Sequence, residues 1–187
     1  MKLQEVELTK KRFRSKILLR LKTQKEDSRE RKSQFIKIKL FRTQLFKKAK
    51  IVMFYIAFDG EVNTKEMIRE AKNLGKVIAV PVCRNNKITI RPCLLKDRAK
   101  LVRGPYGVSE PAVKSAINLE DLDLVIVPGV AFDRKNNRLG RGKGCYDRFL
   151  KRLPKRIKSI GLAYDFQIFP EIPATKTDWK LNRVIFA

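Results

Sequence analysis

The stretch from residue 125 to residue 150 contains the side chains best suited to chemistry. An apolar run that predicts a buried strand ends before Pro128-Gly129, and a long polar loop follows it. The loop leads into a predicted helix over residues 145–153. At the end of the loop, glycines alternate with cationic residues in the order Gly140, Arg141, Gly142, Lys143 and Gly144.

A glycine-rich loop that enters a helix can bind phosphate groups. Its backbone N–H groups face the anion as a nest, and the helix dipole adds positive potential. Arg141 and Lys143 add full charges, and Asp147 in the first helical turn could hold Mg²⁺ between phosphate oxygens. The stretch therefore predicts a nucleoside triphosphate site, although it contains neither a Walker A nor a GxGxxG pattern. Residue types alone leave open a basic glycine-rich turn that binds nothing.

The rest of the chain must place this loop at the end of a sheet. Strands alternate with helices, which predicts an α/β fold with a mainly parallel central sheet and ligands at the carboxyl ends of its strands. We expect one domain over residues 1–187, with two basic amphipathic N-terminal helices packed on it. The predicted helices cover residues 6–22, 27–48 and 64–74, and the predicted strands cover 51–57, 77–82, 87–92, 122–127, 157–163 and 184–186.

The composition excludes several kinds of site. The chain of 187 residues has no histidine, which excludes Ser-His-Asp and Cys-His catalysis and histidine-ligated metals. The 3 cysteines show no CxxC spacing, so neither a disulfide framework nor a zinc site is expected. Cys83 and Cys93 are predicted to be small strand hydrophobes, whereas Cys145 beside Arg141 and Lys143 should have a lowered pKa.

The charge of the chain predicts anionic ligands. The net charge is +25, and residues 1–50 hold 18 Lys or Arg residues against 5 Asp or Glu residues. Such a field attracts nucleic acid and polyanionic small molecules alike, so charge does not choose between them. No apolar run approaches the length of a membrane helix, and the N-terminus lacks the apolar segment of a signal peptide. We therefore expect a cytoplasmic protein without membrane contact.

Several segments together resemble one known family. Residues 128–133 (PGVAFD), 137–144 (NRLGRGKG) and the pair Tyr146-Asp147 are similar to the signature of the 5-formyltetrahydrofolate cyclo-ligases. The resemblance extends over nearly the whole chain. Four shorter segments take part in it: Lys10 with Arg14, Gly60-Glu61-Val62 with Thr64, Tyr106-Gly107-Val108 with Glu110-Pro111, and Asp178 with Lys180.

This resemblance implies an ATP- and Mg²⁺-dependent enzyme that converts 5-formyltetrahydrofolate to 5,10-methenyltetrahydrofolate. Arg141, Lys143 and Tyr146 would carry the catalysis, and Asp147 and Asp178 would bind Mg²⁺. The implied nucleotide contacts are Lys10, Arg14, Arg138, Leu139, Gly140, Arg141, Gly142, Lys143, Gly144, Cys145 and Tyr146. The implied folate contacts are Ile56, Glu61, Tyr106, Arg141, Gly142, Lys143, Gly144 and Cys145.

Two positions depart from the pattern of the family. Cys145 stands where the family usually has a tyrosine, and Asn182 stands where it often has an acid. Cys145 therefore raises the alternative of a diverged member that acts on another formylated substrate. The charge raises a second alternative, a basic RNA-binding protein without catalysis. Non-specific nucleic-acid binding is also expected from the net charge. We expect a monomer, and a basic surface would suit a polyglutamylated folate.

Overall fold

The computed structural model describes residues 3–84, 87–104, 107–175 and 177–187. Its helices are α1 (Leu3–Lys22), α2 (Glu26–Arg42), α3 (Gln44–Lys48), α4 (Lys65–Asn73) and α5 (Cys145–Leu150). Its strands are β1 (Ile51–Met53), β2 (Val77–Arg84), β3 (Lys87–Leu94), β4 (Leu101–Arg103), β5 (Ser109–Pro111), β6 (Leu124–Val127), β7 (Ala131–Asp133), β8 (Arg138–Leu139), β9 (Lys158–Ala163), β10 (Ile168–Phe169) and β11 (Arg183–Phe186).

A six-stranded sheet forms the centre, with the strand order β11-β9-β6-β1-β2-β3. Five of these strands are parallel, and β3 returns antiparallel to β2. All four residues of β6 are buried, because helices cover both faces of the sheet. The prediction of an α/β fold with a mainly parallel sheet is thus confirmed. Two small sheets, β4-β5 and β10-β7-β8, flank the central one.

Alternate residues of the central strands pack into two apolar clusters. Val52 of β1 joins one cluster with residues of α1 and α2, and Met53 joins the other with Phe149 and Leu150 of α5. This alternation follows from the two-residue period of a strand. The two basic N-terminal helices therefore pack on the sheet as predicted, through Ile17, Leu21, Ile36 and Leu40, whereas Leu8, Leu19, Phe35 and Ile38 are exposed.

Two predicted elements differ from the structure by more than three residues. The helix expected over 27–48 is split at Thr43, whose backbone is extended and whose hydroxyl accepts a hydrogen bond from the Phe46 N–H at 3.2 Å. Thr43 thereby caps α3 and ends the longer helix. The strand expected over 51–57 ends at Met53, although the Phe54 N–H still donates to the Ala79 carbonyl at 2.9 Å.

The chain after β1 forms a turn that lies against the end of α1. Gly60 has φ +82°, and a Cβ on it would lie 2.1 Å from the Leu21 carbonyl oxygen. Only glycine fits both the left-handed backbone and this close approach. The turn therefore fixes the position of its neighbours Asp59 and Glu61.

Within the described part of the chain, no helix has the length and apolar character needed to cross a bilayer. A single domain, a monomeric state and a cytoplasmic location stay predictions.

Candidate active site

A cavity of about 520 Å³ opens at the carboxyl ends of β1, β2 and β6. This volume is typical of small-molecule sites. Its walls come from α1, the turn after β1, the end of β2, the loop after β8 and the first turn of α5. The predicted site residues that it brings together are Lys10, Arg14, Ile56, Glu61, Asp147, Asp178 and all of residues 138–146.

The glycine-rich loop reaches α5 through left-handed backbone. Gly142 has φ +98° and Gly144 has φ +63°, and Gly144 is the residue that precedes α5. Non-glycine residues rarely adopt these angles, which explains two of the three glycines. The loop as a whole exposes Arg141, Gly142 and Lys143 to the cavity and to solvent.

Arg138 and Asp147 form the best-buried ion pair of this wall. The Arg138 Nη2 lies 2.7 Å from the Asp147 Oδ1, and the Trp179 N–H donates to the same oxygen at 3.3 Å. The Arg138 Nε is buried and lacks a hydrogen-bond partner among the described residues. Arg138 therefore holds Asp147 at the start of α5, and Trp179 contributes a backbone donor while its side chain is partly exposed.

Helix α1 supplies two cations to the cavity wall. Lys10 is only 3% exposed, and its Nζ donates to the Asp178 Oδ2 at 2.6 Å. The Arg14 Nε donates to the Gly140 carbonyl at 3.0 Å, which ties α1 to the glycine-rich loop. Burial raises the pKa of Asp178, but hydrogen bonds from Lys10 and from the Thr175 N–H outweigh burial and hold the pKa below its usual value.

Arg141 joins the glycine-rich loop to the turn after β1. Its Nη1 lies 2.9 Å from the Asp59 Oδ2, and its Nε lies 3.2 Å from the Glu61 Oε1. Burial raises the pKa of Glu61 despite the opposing charge of Arg141. Asp59 also lies 3.5 Å from the Lys22 Nζ at the end of α1.

Two tyrosines are buried behind this contact. The Tyr55 hydroxyl donates to the Val62 carbonyl at 3.0 Å, whereas the Tyr146 hydroxyl lacks a hydrogen-bond partner within the described residues. Burial raises the pKa of both phenols well above the usual value, and the Glu61 carboxylate adds to this shift. Tyr146 therefore remains a neutral donor at the cavity wall.

The expected lowering of the Cys145 pKa is wrong. Burial raises the pKa of this thiol, and the neighbouring Arg148 and Lys143 do not offset the effect. Cys83 is at the same cavity, and burial raises its pKa to about 11. Cys93 is buried in β3, so Cys83 and Cys93 are the strand residues that the sequence predicted.

Tyr106, which the resemblance gives as a folate contact, is outside the described residues. Asn182 does not line the cavity, because its Oδ1 accepts from the Ser159 N–H at 2.8 Å and joins the loop before β11 to β9. The sequence reasoning also missed residues that do line the cavity, among them Glu110 and Phe58. Glu110 belongs to a segment that the resemblance singled out, and this was the available signal.

The two candidate magnesium ligands lie on neighbouring parts of the wall. Trp179 directly follows Asp178 in the chain, and its backbone N–H contacts Asp147. Asp178 is therefore one residue away from a direct contact of Asp147. No group of three or more acidic or cysteine side chains that could hold a metal occurs in the part of the chain that the structure describes. Mg²⁺ is commonly bound by one or two carboxylates together with phosphate oxygens and water, so this pair fits it.

A mainly parallel α/β sheet with a basic glycine-rich loop at its carboxyl edge is an arrangement found in α/β enzymes, and the loop has the character of an anion-binding element. Residues 6–187 match the 5-formyltetrahydrofolate cyclo-ligase family. The 5-formyltetrahydrofolate cyclo-ligase of Haemophilus influenzae is 34% identical over 74% of this chain and 76% of its own. The 5-formyltetrahydrofolate cyclo-ligase of Mus musculus is 28% identical over 97% of this chain and 95% of its own.

A solved structure of a related enzyme has the same fold as this chain. The 5,10-methenyltetrahydrofolate synthetase of Aquifex aeolicus superposes with a TM-score of 0.83 at 33% identity, covering 95% of this chain and 89% of that one. The chain therefore belongs to the 5-formyltetrahydrofolate cyclo-ligase family. The resemblance and the prediction that the chain is an enzyme of this kind are both confirmed.

Proposed function

We propose that this protein converts 5-formyltetrahydrofolate and ATP to 5,10-methenyltetrahydrofolate, ADP and phosphate. One observation carries the proposal for this chain. A single cavity combines the glycine-rich loop, the cations Lys10, Arg14 and Lys143, and the carboxylates of Asp147 and Asp178. Phosphoryl transfer depends on positioning and on charge stabilisation, and these are the groups that supply both.

The reaction first makes the formyl oxygen a leaving group. That oxygen attacks the γ-phosphorus of ATP, the bond from γ-phosphorus to the bridging oxygen breaks, and ADP leaves. The result is an iminium phosphate on N5 of the folate. Arg141, Lys143 and the N–H groups of the loop would stabilise the charge on the transferring phosphoryl group.

Ring closure then uses the nucleophile of the substrate itself. N10 attacks the iminium carbon, the carbon–oxygen bond breaks, and inorganic phosphate leaves with the N10 proton. No histidine is needed, because the protein contributes orientation and charge rather than a covalent partner. The neutral Tyr146 hydroxyl lacks a partner within the described residues and is available to donate a hydrogen bond to the substrate.

Mg²⁺ fits this site as a partner of Asp147 and Asp178. When bound, it would neutralise charge on the phosphate oxygens of the nucleotide. Arg138 and Lys10 hold the two carboxylates in place. The folate carries an anionic glutamate tail, and a chain with net charge +25 favours its approach.

The test is an absorbance assay for the methenyl product with and without ATP. Wild-type protein should give an ATP-dependent signal, and Lys143→Ala should lower kcat/KM about 100-fold because it removes a charge from the phosphoryl site. Lys155→Ala is the matched control, because Lys155 is exposed and outside the cavity. An ATP-independent signal, or equal rates in the two variants, would contradict the proposal.

A further inference from the structure

The outer side of α2 carries cations that do not line the cavity. Ile36 and Leu40 turn the apolar stripe of the helix toward the sheet, so its opposite side faces solvent. Arg31, Lys39 and Arg42 are exposed on that side. Residues three, four and eleven apart share one side of a helix, and eleven residues span about 17 Å of its length. The cations therefore follow a line along the outer side of α2.

The two arginines of this line are not neutralised by the acids of α2. The side chains of Arg31 and Arg42 form no ion pair or hydrogen bond with any residue that the structure describes. Glu26 forms an ion pair within the helix, and Glu30 accepts hydrogen bonds from two side-chain amides. Asp27 is exposed and lies beyond ion-pair distance of Arg31. The outer side of α2 therefore keeps a net positive charge, on a chain whose total is +25.

Exposed aromatic rings lie beside these cations. Phe35 is 59% exposed and lies one helical turn from both Arg31 and Lys39. The Lys39 Nζ donates to the Phe186 carbonyl of β11 at 2.8 Å and lies 5.8 Å from the centre of the Phe186 ring, which is 45% exposed. Lys39 therefore joins both rings and the cations in one surface, the α2–β11 face, which consists of Arg31, Phe35, Lys39, Arg42 and Phe186.

We propose that the α2–β11 face binds single-stranded nucleic acid, as a second role that does not depend on the reaction in the cavity. Arg31 and Arg42 pair with phosphates of the strand, and unpaired bases stack on Phe35 and Phe186. Proteins that bind single strands without sequence preference combine these two elements, cations for the backbone and rings for the bases. A duplex keeps its bases stacked inside, so it gains only the contacts to phosphate.

The α2–β11 face does not suit an anionic membrane. A helix that lies in a membrane interface buries a continuous apolar stripe in the lipid and keeps its cations on the other side. The apolar stripe of α2 is already packed on the sheet, and the exposed Phe35 and Ile38 stand between Arg31, Lys39 and Arg42 on the helix. Cations and apolar side chains thus alternate, as phosphates and bases do along a single strand.

The first experiment removes the cations and follows a fluorescent oligouridylate by anisotropy across a range of salt concentrations. The double variant Arg31→Gln with Arg42→Gln should bind about tenfold more weakly at about 0.1 M salt, and its salt slope should fall by about 1.4, since each phosphate contact contributes about 0.7. Arg152→Gln with Lys155→Gln is the matched control, because it removes two exposed charges beyond α5, on the other side of the sheet. Equal losses in the two double variants would overturn the assignment, because binding would then follow only the net charge.

The second experiment removes the rings and keeps every charge. Phe35→Ala with Phe186→Ala should weaken oligouridylate binding about tenfold with an unchanged salt slope, and should leave the weaker binding of duplex RNA as it is. Far-ultraviolet circular dichroism checks that the variant is folded, whether or not the wild type turns over folate. Unchanged oligouridylate binding would refute the role of the rings. Loss of binding to phosphatidylglycerol vesicles, with oligouridylate binding retained, would show that the face binds lipid instead.

Discussion

The helices α1 and α2 have similar basic compositions and very different relations to the cavity. Lys10 and Arg14 of α1 are directed inward and contact Asp178 and Gly140. Helix α2 buries Ile36 and Leu40 in the core and pairs Lys37 with Glu70 of α4. One helix is therefore part of the site, whereas the other supports the turn beside it.

The contacts of α2 with the turn beside the site are hydrogen bonds, among them one from the Asn63 Nδ2 to the Glu30 Oε2 at 2.9 Å. The Ser33 hydroxyl accepts from the Asn63 N–H at 3.0 Å and lies 3.3 Å from the Tyr164 hydroxyl. That phenol in turn donates to the Glu61 carbonyl at 3.2 Å. The difference teaches that a basic residue on a helix acquires a role in the cavity only through the acid or carbonyl group that the fold places opposite it.

The largest effect should come from Lys10→Met. This change removes a buried charge from the wall that we assign to phosphates and leaves Asp178 without its cation, so kcat/KM for ATP should fall about 100-fold or more. Steady-state kinetics with varied ATP is the measurement. Lys37→Met on α2 is the control, because Lys37 makes an ion pair of similar length with Glu70 but lies outside the cavity. If both variants kept the wild-type rate, α1 would be a supporting helix like α2.

The next effect concerns stability alone. Ile36 of α2 is fully buried in the cluster that joins α2 to the sheet. We expect Ile36→Ala to lower the free energy of unfolding by about 2–5 kcal/mol, because it leaves a cavity in the core. Denaturant unfolding gives this value, and kcat/KM at a temperature where the variant is folded should stay close to wild type. A large loss of kcat/KM in the folded variant would show that α2 shapes the site directly.

The sequence predicted the central sheet well because buried parallel strands are continuous apolar runs. Both Leu124–Val127 and Val77–Val82 are short apolar runs of this kind, and the structure has a strand at each of them. The split at Thr43 was missed, because the apolar period continues across it and the capping hydroxyl becomes visible only from its contact with Phe46. Local patterns carry little information on where one helix stops and the next begins.

The candidate site was predictable where its chemistry lies in one segment. Residues 138–147 stand together in the chain, and the cavity brings Lys10, Glu61 and Asp178 to them from far away. Glu110 was not predicted as a site residue although the resemblance included its segment, because the sequence does not show that the fold places β5 at the cavity wall. The pKa of Cys145 was misjudged because nearby cations are visible in the sequence whereas burial is not.

A moderate effect is expected at Arg14. The Arg14 Nε donates to the Gly140 carbonyl, and a lysine there lacks the planar group that reaches the loop in this geometry. We expect Arg14→Lys to raise the KM for ATP about tenfold with little change in kcat, because the loop is less well positioned for binding. Titration of ATP in the steady state separates the two constants. A fall in kcat at constant KM for ATP would show instead that the contact between Arg14 and Gly140 stabilises the transition state and not the binding of ATP.

The smallest effect tests the neutral link from α2. Tyr164→Phe removes the hydroxyl that lies between Ser33 and the Glu61 carbonyl, which should cost about 1 kcal/mol of stability at neutral pH. Burial raises the pKa of this phenol to about 12, above the value of about 10 that is usual in an unfolded chain. The folded wild type thus holds the proton more tightly, so its free energy of unfolding falls as the pH rises from about 10 to about 12.

The phenylalanine variant lacks this titration, and the lysine and arginine titrations are common to both proteins. The stability advantage of the wild type should therefore be constant from about pH 7 to pH 9 and shrink at higher pH. Paired denaturant titrations across this range measure it. An advantage that persisted unchanged into strong alkali would mean that the phenol titrates alike in the folded and unfolded chains, and that α2 supports the Glu61 turn through Asn63 rather than through Tyr164.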